Sequence, residues 1–201
     1  MRVLLGTTNP SKVKRFSDLL KGYDIEFITL RDIEVIEEPK EMGNTPEENA
    51  IMKAEFYGQY FDVVICNDSG LYFEELDFED LRQPGLNIRT PMNMDRLSDE
   101  EMIDYYSNLA HTYSASGKLT CRWVYGIAVI NNGKESTYTW SKDDFYLVDK
   151  PTDKINPGYP LNSISVNKKL NKYFTDMTSE DKENIKEDES DVIEFIAKNV
   201  L

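Results

Sequence analysis

Lys12 follows Thr7-Thr8-Asn9-Pro10-Ser11, where a short apolar segment gives way to an amphipathic one. A strand, a polar turn and a helix start, in that order, make an anion site. The first-turn amides lack intrahelical partners, and the helix dipole is positive at that end. Thr7, Thr8 and Asn9 add side-chain donors, and Lys12 adds a point charge one turn in. The P-loop spacing G-x-x-x-x-G-K-[ST] is absent, and an ordinary capped helix with a solvated basic face carries the same letters. Asn49 and Lys53, four apart, project from one face of a second amphipathic segment, toward a cleft or simply toward water. An apolar run ends in Asn67-Asp68-Ser69-Gly70. At the carboxyl end of a strand in an open α/β sheet, such an aspartate serves as metal ligand or base. An Asx turn with Gly70 at positive φ fits the same residues. Glu41, in "EPKEMG", either joins Asp68 on Mg²⁺, which takes one or two carboxylates with water and substrate phosphate, or is a surface acid.

The elements that must position these residues are legible in the hydrophobic pattern. "RVLLGTT" reads as a buried strand and "NPSKVKRFSDLLKGY" as a helix with Asn9 at its N-cap and Pro10 in its first turn. "IEFITL" is a second strand. "TPEENAIMKAEFYGQYF" is a helix opened by a Thr45/Glu48 capping box, and "DVVIC" is a third strand. The order β-α-β-α-β favours an α/β fold with parallel pairing. A Ser98/Glu101 capping box opens another helix, and "NNGK" has hairpin-turn chemistry between two long strand patterns. The antiparallel character of this later part suggests a separate lobe. The acidic tail reads as one or two helices with Val192, Ile193, Phe195, Ile196 and Val200 on the core face.

Totals exclude several classes. The 201 residues carry a formal charge of -14, which argues against a nucleic-acid backbone as partner. A small phosphorylated ligand remains compatible, since local lysines and a metal ion can hold one in an acidic protein. No apolar run reaches the roughly 20 residues of a membrane span, and the N-terminal apolar run is too short for a signal peptide, so a soluble cytoplasmic protein is expected. Cys66 and Cys121 fall in strand-like runs and read as buried free thiols. His111, the single histidine, reads as a surface residue in a polar loop. Catalysis would therefore rest on carboxylates, lysines and a hard metal.

In combination and order, these motifs resemble the inosine triphosphate pyrophosphatases, which act on irregular purine nucleoside triphosphates. T-x-N-x-x-K is matched by Thr7, Asn9 and Lys12, and E-x-G by Glu41-Met42-Gly43. E-N-A-x-x-K-A is matched around Asn49 and Lys53, and D-D-S-G-L by Asn67-Asp68-Ser69-Gly70-Leu71. Pro84-Gly85, with Arg89 soon after, completes a likeness over residues 1 to about 90. The resemblance implies an elongated, mixed, twisted β-sheet with flanking helices. It implies one domain over 1–201, with lobes of about 1–70 plus the C-terminal helices and 71–165 around a central cleft. It implies hydrolysis of a nucleoside triphosphate to the monophosphate and pyrophosphate, with Mg²⁺ as cofactor. Thr7, Thr8, Asn9, Lys12, Asn49, Lys53, Ser69 and Gly70 would bind phosphates, and Glu41 and Asp68 would serve the metal and the attacking water. It further implies a homodimer, for which the stretch 71–97 offers an interface.

Two departures stand out. Asn67 replaces the first acid of D-D-S-G, and an amide cannot act as an anionic base. The family's F-G-Y-D-P loop is reduced to a match at Tyr159. In its K-N-x-I-S-H-R segment Lys182 is kept, while Lys186, Glu187 and Asp188 stand at the Ser-His-Arg positions. A base pocket drawn from Tyr159, Lys182, Glu187, Asp188 and Arg89 would have reversed hydrogen-bonding character, suited to accept an exocyclic amine. The expected function is a pyrophosphatase with changed base preference. A nucleotide-binding relative without turnover, and a Maf-like pyrophosphatase, are the alternatives. The Maf-like opening turn, of the Ser-x-Ser-Pro-Arg-Arg type, is not present.

Overall fold

The computed structural model describes residues 1–33, 37–156, 159–185 and 188–201. Strand β1 (Arg2–Leu5) leads into helix α1 (Pro10–Leu19), then β2 (Glu26–Thr29), α2 (Pro46–Tyr57) and β3 (Val63–Phe73). Helix α3 (Asp99–Tyr113) precedes the hairpin of β4 (Lys118–Asn131) and β5 (Lys134–Val148). Then follow β6 (Ser165–Asn167), α4 (Ser179–Asn184) and α5 (Ser190–Val200). The six strands form one mixed sheet in the order β2-β1-β3-β4-β5-β6. β1 pairs in parallel with β2 and β3, and β5 pairs antiparallel with β6.

Local chemistry explains the element boundaries. Asn9 caps α1 by accepting from the Ser11 amide, with Pro10 in the first turn where a missing N–H costs nothing. Thr45 caps α2 by accepting from the Glu48 amide. Only half of the expected box forms there, because the Glu48 carboxylate reaches one residue further back, to the Asn44 amide at 2.6 Å. The Ser98/Glu101 box opens α3 in full. Asn132 and Gly133, with φ of 49° and 79°, supply the two positive values that a tight hairpin turn needs.

Two compact units divide the chain. The first comprises Met1–Ser69, Tyr125–Trp140 and Asp188–Leu201, and the second Gly70–Val124 and Ser141–Glu187. In the first unit, one sheet face packs Val3, Leu5, Val63, Ile65, Ile127 and Val129 against Phe16 and Leu20 of α1 and Val192, Ile196 and Val200 of α5. The other face packs Leu4, Ile28, Val64, Cys66, Ala128 and Ile130 against Ala50, Ala54 and Tyr57 of α2. In the second unit, Met102, Tyr106, Leu109 and Ala110 of α3 bury against Leu71, Phe73, Leu119, Cys121, Phe145 and Leu147.

Two expectations change on the structure, and the reading of the cysteines holds. β3 does not stop at Cys66; it continues through Phe73, so Asp68 lies within an 11-residue strand. β1 ends at Leu5, opposite Ile65, and β3 runs on beyond it with β4 as its other neighbour in the sheet. His111 lies in the last turn of α3 rather than in a loop, where a cation is favoured, with Nδ1 3.3 Å from Asp149. Both cysteines are free and buried.

Gly126 shows how closely α2 is seated. A Cβ there would lie 2.5 Å from the Glu47 Cα and 2.6 Å from the Pro46 carbonyl carbon, both backbone atoms that cannot move aside cheaply. Gly126→Ala should lower stability by about 1–3 kcal/mol. Gly22→Ala, with nothing within 4 Å of the new methyl, should leave the urea midpoint unchanged. Equal midpoints for the two variants would show that α2 tolerates displacement.

Candidate active site

The site is assembled in the first unit by β3, α1, α2 and the loops that precede the two helices. Side chains alternate along β3, so Val64 and Cys66 face α2 and Asp68 follows on the same side. Asn49 and Lys53 come from that helix four residues apart, and both are nearly buried, at 4% and 8% exposure. Lys12 comes from the first turn of α1.

These side chains converge on one carboxylate. Asn49 Nδ2 donates to Asp68 Oδ2 at 2.9 Å. Lys53 Nζ lies 3.6 Å and Lys12 Nζ 3.8 Å from the other oxygen, Oδ1. Lys53 Nζ also donates to Glu41 Oε2 at 3.1 Å, which ties the loop before α2 to the cluster. Lys12 Nζ reaches the Asn67 carbonyl at 3.4 Å. The Asn49 carbonyl oxygen accepts from the Gly43 amide at 2.8 Å, fixing the amide so that its NH₂ group faces Asp68. A Cβ on Gly43 would stand 2.9 Å from the Asn49 backbone nitrogen, so that close approach requires glycine.

A cavity of about 220 Å³ opens over this cluster, lined by Thr7, Thr8, Lys12, Glu41, Lys53 and Asp68, with Gly6, Leu30, Glu38, Pro39 and Tyr57 completing the wall. Burial pushes the Lys12 ammonium below the ordinary lysine value; Lys53 adds repulsion, and Asp68 and Glu41 oppose the shift without cancelling it. Burial likewise raises the Cys66 thiol to about 12, so it offers no thiolate. Chemically, two ammonium groups in a polar cavity hold a multiply charged anion, and two carboxylates beside them offer hard oxygen ligands or a base.

The expected phosphate and metal residues therefore largely meet. Asn9 spends its side chain on the α1 cap, and Thr7 Oγ1 accepts from the Asn9 amide at 3.2 Å. Ser69 and Gly70 follow on β3 and are not part of the cavity wall. Glu38 and Tyr57 are members that the motif reading omitted. Tyr57 had a visible signal: it continues the four-residue spacing of Asn49 and Lys53 along α2.

The base-pocket candidates are Tyr159, Lys182, Glu187, Asp188 and Arg89. Tyr159 is half exposed and Lys182 is exposed on α4. Arg89 is engaged by Asp99 at 2.8 Å and by the Leu97 carbonyl at 3.3 Å. Asp188 accepts from the Ser190 amide at the start of α5. Glu187 lies outside the described residues. Among the described residues no hydrogen bond or ion pair joins Tyr159, Lys182 and Arg89.

The chain is similar to several known proteins. The Ham1 family profile matches residues 3–190. A dITP/XTP pyrophosphatase of Thermoanaerobacter pseudethanolicus is 29% identical over 187 residues, 92% of this chain and 89% of that protein. A dITP/XTP pyrophosphatase of Bacillus subtilis is 29% identical over 188 residues, 90% of this chain and 88% of that protein. The Ham1 protein of Staphylococcus aureus superposes with a TM-score of 0.76 at 21% identity, over 98% of this chain and 99% of that one. A HAM1 protein from Coxiella burnetii gives 0.74 at 20% identity, over 98% and 97% of the two chains. The fold is thus the mixed α/β fold of these structures. The chain belongs to the Ham1 family.

Lys12 carries a testable cost. Its folded-state value lies below the ordinary 10.5, so the charged form is disfavoured by folding. That penalty is fully present below the lowered folded value and is gone above 10.5. Lys12→Met should therefore raise the melting temperature at neutral pH, and the advantage should shrink as pH rises through the lysine range. The same variant should bind tripolyphosphate more weakly. A lower melting temperature at neutral pH would mean that the Asp68 contact outweighs the burial cost.

Proposed function

We propose that this chain is a Mg²⁺-dependent nucleoside triphosphate pyrophosphatase, hydrolysing its substrate between the α- and β-phosphates. One observation carries the reading: a single carboxylate oxygen, Asp68 Oδ1, is flanked by Lys12 and Lys53 inside a polar cavity. The names of the two bacterial relatives support the same activity.

In this reading Lys12 and Lys53 exchange the Asp68 carboxylate for phosphate oxygens as the triphosphate enters, with Thr7 and Thr8 adding neutral donors. Asp68, released from the ammonium groups but still held by Asn49, accepts the proton of the attacking water. The anhydride breaks, and monophosphate and pyrophosphate leave. The work is positioning and charge neutralisation around a transferring phosphoryl group. Glu41 and Asp68 fit a hard cation: both are oxygen donors on one cavity and both lie within ion-pair reach of Lys53. Among the described residues no three His, Cys, Asp or Glu side chains gather as a metal cage. That fits Mg²⁺, which completes its shell with water and phosphate oxygens. When bound, the cation would supply a lowered water pKa and screening of the phosphates.

Base preference is proposed to differ from the hypoxanthine and xanthine bases in the relatives' names, because Glu187 and Asp188 stand where His and Arg are expected. An acidic wall there favours an exocyclic amine. The same reading takes the enzyme to work in the cytoplasm as a homodimer. Phe78 and Leu81, 72% and 76% exposed, supply apolar surface for such an interface. The full pairing of Asp68 with lysines also suits a binding protein without turnover.

A panel of nucleoside triphosphates with Mg²⁺, assayed for pyrophosphate, decides between the two. At least one substrate should release pyrophosphate, and Asp68→Asn should lower kcat by about 10²-fold or more while retaining binding. Binding without release for every nucleotide would leave only the non-catalytic reading.

A further inference from the structure

Tyr57 sits in the cavity wall without a role in the reading above. It belongs to α2, one turn beyond Lys53, and is 3% exposed, yet it lines the same cavity as Lys12, Lys53 and Asp68. Its ring packs under the loop after β1: a Cβ on Gly6 would stand 2.9 Å from Tyr57 Cδ2. Phe56 meets the ring edge-on at 5.2 Å, so its plane is fixed. The hydroxyl takes no hydrogen-bond partner among the described residues. Glu38 and Glu41 line the same cavity.

A tyrosine whose ring is buried usually finds a hydrogen-bond partner for its hydroxyl. The remaining donors of the cavity are ammonium groups and threonine hydroxyls, and together they suit a polyanion. Burial, then Cys66 and the two acids, push the phenol up to about 12, so it is a neutral O–H donor throughout the physiological range. A space of about 220 Å³ with mostly polar lining suits phosphate groups. Gly6 and Tyr57 line it together with Lys12 and Lys53, the two cations that the reading above assigns to the phosphates.

We propose that the Tyr57 hydroxyl donates a hydrogen bond to the pyrophosphate end of the substrate, making it a phosphate-binding residue of this site. The inference rests on the pyrophosphatase reading and adds a donor to it. The hydroxyl takes no part in proton transfer. Its contribution is a charge-assisted bond to an oxygen that becomes part of the leaving pyrophosphate.

The test is calorimetric titration of the whole chain, in Mg²⁺, with inorganic pyrophosphate, tripolyphosphate and IMP. Tyr57→Phe keeps the ring and its packing on Gly6 and removes one oxygen. The variant should melt as the wild type does, bind pyrophosphate and tripolyphosphate about tenfold more weakly, and bind IMP unchanged. In turnover, KM should rise with kcat nearly constant, and product inhibition by pyrophosphate should weaken. Equal pyrophosphate affinity in the two proteins overturns the proposal, as does an equal loss for IMP, which would place the hydroxyl at the other end. Wild-type protein that binds neither polyphosphate would instead overturn the pyrophosphatase reading on which the proposal rests.

Discussion

The Asp68 carboxylate, held between Lys12, Lys53 and Asn49, is the interaction around which the first unit is organised. Two ammonium groups cannot be brought this close to one another in a largely buried place without an anion between them. Each partner is delivered by a different element, so the cluster holds only if those elements are seated accurately. β3 must outrun β1 to carry Asp68 past the end of that neighbouring strand. Helix α1 must start at Asn9 for Lys12 to be in its first turn. Helix α2 must lie close enough to β4 that position 126 has room only for glycine. The strain visible in the burial-lowered Lys12 value is relieved in the proposed function by a more highly charged anion, the substrate's phosphates.

Anchoring of α1 accounts for part of its basic character in so acidic a chain. Arg15, one turn beyond Lys12, forms an ion pair with Glu189 at the start of α5. Its guanidinium also lies 5.4 Å and 5.5 Å from the ring centres of Tyr125 and Trp140, which stack on one another at 5.0 Å. Glu189 stands at the N-cap of α5 without capping it, and Asp188 accepts from the Ser190 amide instead. Lys14 is exposed and pairs with Asp18, four residues along the same helix. Three neighbouring cations thus have three fates: Lys12 faces the cavity, Arg15 fastens the helix, and Lys14 meets solvent.

Much of this was legible in sequence because it depends on local rules. Asn9 with Pro10, Ser98 with Glu101, and Asn132-Gly133 each satisfy a backbone requirement within four residues, and each forms as read. The convergence of Lys12, Asn49, Lys53, Glu41 and Asp68 was legible only through the combined motifs, since each alone suits an ordinary cap or surface pair. What sequence missed is set by distant partners. The extension of β3 runs past the end of β1, with β4 as its other neighbour, and the half-formed Thr45 box depends on the fold of the loop before it. Tyr57 was not singled out in sequence; its ring packs in the core, and only the assembled structure shows that it also lines the cavity. His111 was misplaced because the helical pattern of α3 persists through a polar stretch.

A crystal structure of the chain with Mg²⁺ and a triphosphate whose α,β-bridging oxygen is replaced by a non-hydrolysable group tests the central claim most directly. Polyphosphate oxygens should lie within hydrogen-bond distance of both Lys12 Nζ and Lys53 Nζ, with both ammonium groups drawn away from Asp68 Oδ1. An analogue bound elsewhere, with the two lysines still on Asp68, would contradict the account.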